Sequence, residues 1–75
     1  MKGYVVVFEG DRESGFSAYS PDLPGVVAAG DTREETESLM REAMSEHLAV
    51  LRDMGLPVPE PTPAAEATVL NVSAA

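Results

Sequence analysis

Between Asp31 and Met54 the chain runs without a glycine or a proline, its longest such stretch. Elsewhere those two residue types cut it mostly into pieces of strand or turn length, so its architecture must be arranged around a single long helix. Thr32, with Glu35 three residues later, has the spacing of a capping box, and acidic residues crowd the first turn, where the helix dipole favours them. Gly55 suits a left-handed C-cap and Pro57 follows, which predicts a helix over about 33–54. At 100° per residue, Leu39, Met40, Ala43, Met44, His47, Leu48, Val50, Leu51 and Met54 fall within one half of the wheel. Glu37, Arg41, Glu42, Ser45, Ala49, Arg52 and Asp53 occupy the other half, and Glu37 precedes Arg41 at the favourable i,i+4 spacing.

The flanking pieces read as strands. Tyr4-Val5-Val6-Val7-Phe8 is a β-branched and aromatic run, apolar on both faces. Gly10 to Gly15 is polar and suits a hairpin loop, after which Phe16-Ser17-Ala18-Tyr19 alternates with Phe16 and Ala18 on one face. Pro21-Asp22-Leu23-Pro24-Gly25 interrupts the ladder by removing two backbone donors, and Val26 to Ala29 follows as a short strand. Strands are thus expected over about 3–9, 15–20 and 26–30. Four prolines over 56–63 predict an extended strap, and 67–73 reads as a fourth strand. The 75 residues make one α+β domain, in the order β-β-β-α-β, with an antiparallel three-stranded sheet under one helix.

Composition narrows the function classes. Thirteen Asp and Glu oppose five Lys and Arg, a net charge of −8 that repels phosphate backbones and favours a basic protein partner. Direct nucleic-acid binding is therefore not expected. The chain has no cysteine, which excludes disulfides and thiolate metal sites and suits the cytoplasm. No apolar run is long enough to span a membrane, and the N-terminus lacks the length of a signal peptide.

Chemistry-bearing residues are few. His47 is the only histidine, and its i±4 neighbours Ala43 and Leu51 cannot orient a general base, so a packed or interface role is the ordinary reading. Glu9, Asp11 and Glu13 crowd a hairpin and Glu34, Glu35 and Glu37 a helix start; solvated turn acids account for both, and no catalytic residue, metal or cofactor is expected. The wide apolar arc, together with a first strand apolar on both faces, predicts a homodimer or higher even-numbered oligomer through Val5, Val7, Met40, Met44 and His47.

Two stretches in combination resemble a known family. Tyr19-Ser20-Pro21-Asp22-Leu23-Pro24-Gly25 precedes Gly30-Asp31-Thr32-x-Glu34-Glu35, and His47-Leu48-x-x-Leu51 leads into Gly55-x-Pro57-x-Pro59-Glu60-Pro61. This pattern resembles the HicB antitoxins, the acidic half of HicA–HicB toxin–antitoxin pairs, over residues 4–61. The resemblance implies a partial ribonuclease-H-like fold that neutralises a small basic mRNA-cleaving toxin, HicA, by covering its active site, and is not itself an enzyme. Toxin contacts are expected at Asp22 and at an exposed Leu23 in the rigid loop, with Glu34, Glu42 and Glu46 as charge complements. Thr36 and Glu37 stand where relatives carry apolar residues. Fuller relatives add a C-terminal DNA-binding domain, and none is expected here after a strand ending near residue 73. Two alternatives remain: an orphan oligomeric interaction module without a toxin, or a metal-dependent ribonuclease-H-like nuclease remnant.

Overall fold

The computed structural model describes residues 3–61, 70, 72 and 73. Three strands, β1 (Val7–Asp11), β2 (Gly15–Tyr19) and β3 (Val27–Gly30), form an antiparallel sheet in the order β1-β2-β3, followed by α1 (Arg33–Asp53). The expected strap over 56–63 is described only as far as Pro61. The expected strand over 67–73 lies outside the described residues apart from Leu70, Val72 and Ser73, none of which is in a strand.

The first strand begins later than the sequence suggested, at Val7, and runs on to Asp11. Val7 pairs with Tyr19, the last residue of β2. Beyond it Pro21 has no N–H to continue a ladder, so residues 4–6 are held by side chains instead. The Ser20 hydroxyl donates to the Val5 carbonyl at 2.6 Å, and the Val5 N–H donates to the Asp22 carboxylate at 2.8 Å. The Tyr4 hydroxyl donates to the Pro59 carbonyl at 2.8 Å, tying the start of the strap to the strand side of the domain.

Register assigns the faces. Phe8, Ala18 and Ala28 stand in one row toward the helix; Val7, Tyr19 and Val27 stand in a row on the opposite face. α1 lies over β3 and β2 rather than over β1. The core is Ala18, Leu23, Val26 and Met40, with Tyr4, Val6, Phe8, Ala28, Ala43, Met44 and Leu48 packed around it. Gly30 allows the close approach of β3 to the helix start, since a Cβ there would lie 2.9 Å from the Thr36 hydroxyl.

Both helix ends form as their sequence signals require. The Thr32 side chain accepts the Glu35 N–H at 3.0 Å, while the Glu35 carboxylate reaches past the cap to the Asp31 N–H at 3.4 Å. At the far end Gly55 has φ +68°, its N–H donates to the Arg52 carbonyl at 3.1 Å, and Leu56 N–H donates to the Leu51 carbonyl at 2.9 Å. This pair of bonds is a Schellman cap.

The apolar arc is narrower than the helical wheel implied. Leu39, Val50 and Met54 are exposed, while Thr36, outside the arc, is fully buried at 0%. Its hydroxyl donates to the Thr32 carbonyl at 2.7 Å, which satisfies the polar atom and lets its remaining surface pack as core. Met40, expected at an oligomer interface, is 1% exposed. The core consumes it because α1 sits directly over β2 and β3, so Met40 cannot contact a second copy without repacking.

Candidate functional site

The loop after β2 is a structural corner. Leu23 N–H donates to the Ser20 carbonyl at 3.3 Å and Val26 N–H to the Leu23 carbonyl at 3.2 Å, two successive turns that drive Leu23 inward. Leu23 is 0% exposed, so the expectation of an exposed Leu23 anchor is overturned. Asp22 is half-buried, and its carboxylate is engaged with the Val5 backbone.

The hairpin acids are likewise engaged in structure. Asp11 accepts from Glu13 N–H at 2.9 Å, from Ser14 N–H at 2.7 Å and from the Ser14 hydroxyl at 2.8 Å, closing the turn. The Ser14 bonds, reinforced by Glu13, hold the Asp11 carboxyl below its ordinary value. Among the described residues no three His, Cys, Asp or Glu side chains are grouped to hold a metal ion. No helix among them is long and apolar enough to cross a membrane.

The charges of α1 are sorted by flank. On the flank toward β1, Glu37 accepts from Arg33 at 2.9 Å and lies 3.6 Å from Arg41. The Arg33 hydrogen bond and charge, helped by Arg41, hold the Glu37 carboxyl below its ordinary value. The Arg33 guanidinium also stands 4.2 Å over the Phe8 ring, a cation–π contact. An apolar groove of about 520 Å³ runs between β1 and the helix here, floored by Val6, Phe8, Met44 and Leu48.

The flank toward β3 differs. Glu42 and Glu46 are exposed one turn apart with no ion-pair or hydrogen-bond partner among the described residues. Like charges at this spacing cost a helix about 0.2–0.5 kcal/mol, and nothing among the described residues relieves it. Beside them a second groove of about 330 Å³ is lined by Val26, Val27, Ala43, Glu46, His47 and Val50. Val27 is 68% exposed and Val50 52% exposed. β3 is an outer strand of the sheet among the described residues, so this groove borders a sheet edge.

The residues expected to meet a toxin are therefore not brought together. Glu42 and Glu46 share a flank. Glu34 lies at the other end of α1, in a depression with Arg12 and Phe16, roughly 18 Å along the helix axis from Glu46 at 1.5 Å per residue. Of the expected oligomer residues, Val5, Val7, Met44 and His47 are half-buried, with Val7 on the open sheet face, Met44 in the β1 groove and His47 in the β3 groove. Sequence reasoning missed the groove pair Val27 and Val50; their signal was an apolar residue one turn beyond Glu46 and a strand run with no charge in it.

A search of curated proteins and of solved structures finds no match. A family model described as the HicB-like antitoxin of bacterial toxin–antitoxin systems matches residues 4–71. That span takes in the whole sheet, the buried loop and the helix with its sorted flanks, and the chain belongs to the HicB-like antitoxin family.

Proposed function

We propose that this protein neutralises a small basic HicA-type ribonuclease by covering its active site, acting in the cytoplasm as a binding protein without catalysis of its own. Family membership supports an antitoxin role with a toxin partner. The observation that carries the finer reading is the acidic side of α1: Glu42 and Glu46 are exposed and without a partner among the described residues in a chain of net charge −8, while Arg33 and Arg41 are both committed to Glu37. A basic partner is the complement such a surface would steer and select.

Self-association is part of the proposal. The row Val7, Tyr19 and Val27 on the open sheet face, with Val5 beside it, supports a homodimer or higher even-numbered oligomer. The β-β-β-α order supports a partial ribonuclease-H-like fold.

The test is titration of the purified chain into an mRNA-cleavage assay with the HicA-type toxin encoded beside it. Stoichiometric inhibition and co-elution are expected. Undiminished cleavage with no complex at micromolar concentrations would sink the reading.

A further inference from the structure

We propose that the groove between α1 and the outer edge of β3 is the docking surface for the basic partner, and that its recognition element is an apolar side chain flanked by Arg or Lys. The apolar part would seat against Val50, over Ala43 and Val26, and the cations would face Glu46 and, one turn back along α1, Glu42. This deepens the antitoxin reading and rests on it for the partner's identity; charge and shape supply its chemistry.

Three independent observations converge on this flank. Val50 is an exposed apolar residue that lines one groove with Val26, Ala43 and His47. Glu46 lines it and Glu42 lies one turn back along α1, both without partners among the described residues, whereas on the β1 flank Glu37 is paired with Arg33 and Arg41. β3 itself, Val27-Ala28-Ala29-Gly30, carries no charge or proline to keep another chain away from its edge. A second copy is a poor occupant. A self-complementary contact would bring Glu42 and Glu46 of one copy against the same pair of the other. The other candidate contact points fall away on geometry: Leu23 is buried, Asp22 is bound to the Val5 backbone, and Glu34 lies far along the helix.

The experiment uses the full chain, isotopically labelled, with a synthetic peptide of alternating Leu and Arg as probe and its Leu–Glu counterpart as control. Chemical-shift changes are expected at residues 25–28 and 39–50 with the Arg peptide alone. Glu42→Lys/Glu46→Lys should weaken binding about tenfold or more, whereas Glu9→Lys/Glu13→Lys, the same charge change on the hairpin, should weaken it less than about threefold. Val50→Ser, at a solvent-facing position, should weaken it several-fold while the fold persists. Equal losses in the two charge-reversed variants, with shifts spread over 9–13 and 34–35, would show generic charge attraction and overturn the site. Concentration-dependent shifts at the helix side of the groove, residues 43–50, without peptide would assign it to self-association and overturn it too.

The toxin assay separates the two levels. If wild type inhibits the toxin and Glu42→Lys/Glu46→Lys inhibits it equally well, the docking surface is wrong and the antitoxin reading stands. If wild type inhibits no toxin yet the peptide binds at this groove with the stated variant pattern, the docking surface stands and the antitoxin reading fails.

Discussion

The carboxylate of Asp22 accepts the Val5 N–H at 2.8 Å, seventeen residues away in sequence. With the Ser20 hydroxyl on the Val5 carbonyl, it replaces the two backbone bonds that a continuing strand would supply. The Pro-Asp-Leu-Pro-Gly loop thus acts as a side-chain extension of β2, and it holds the chain entering β1 in place.

Asp22→Ala should lower unfolding free energy by about 1–3 kcal/mol, because the Val5 N–H loses its partner in a half-buried place. Asp22→Asn keeps an acceptor and should cost less. Urea titration of the three proteins checks the order, and any toxin-binding defect of Asp22→Ala should be interpreted alongside its lost stability.

Leu23→Ala should cost about 2–5 kcal/mol, the range for a fully buried leucine. Val50→Ala, on the exposed flank, should stay within about 0.5 kcal/mol. Thermal melts of both variants distinguish an interior Leu23 from a surface anchor, for which the two costs would be alike.

Thr32→Ala removes the side-chain acceptor at the helix start and should cost about 0.5–2 kcal/mol. Gly55→Ala places a Cβ at φ +68° in the Schellman cap and should cost about 1 kcal/mol. Amide exchange should accelerate selectively in the first turn of the former and the last turn of the latter.

Acid should destabilise the fold through Asp11 and Glu37. Both are held below their ordinary values when folded, Asp11 by the Ser14 bonds and Glu37 by Arg33, so the unfolded chain binds protons first as pH falls. Their stabilisation is complete above the ordinary carboxylate values and disappears as pH falls through the lower folded ones. Denaturation midpoints of wild type and Asp11→Asn should converge on acidification; a constant gap would show that Asp11 contributes nothing through its charge.

The sequence by itself determined the elements that local chemistry dictates. Capping and C-cap signals at Thr32, Glu35 and Gly55 delimited α1, and alternation at Phe16 and Ala18 assigned the inward face of β2, because these depend on neighbours a few residues away. The family, too, was legible in the loop and cap motifs. Only the tertiary structure decided which residues of the apolar arc are interior. The helix lies across β2 and β3, so its inward line passes through Thr36 and Met40 and leaves Leu39 and Val50 outside, and no wheel encodes that crossing. Leu23 read as an exposed loop tip because the burial of a loop side chain depends on what closes over it. The candidate surface followed the same rule. Each glutamate of α1 was visible in the sequence, but its pairing was not: Glu37 meets both Arg33 and Arg41 on the β1 flank, while Glu42 and Glu46 meet none among the described residues. A charge becomes a binding feature through the partners it lacks in three dimensions.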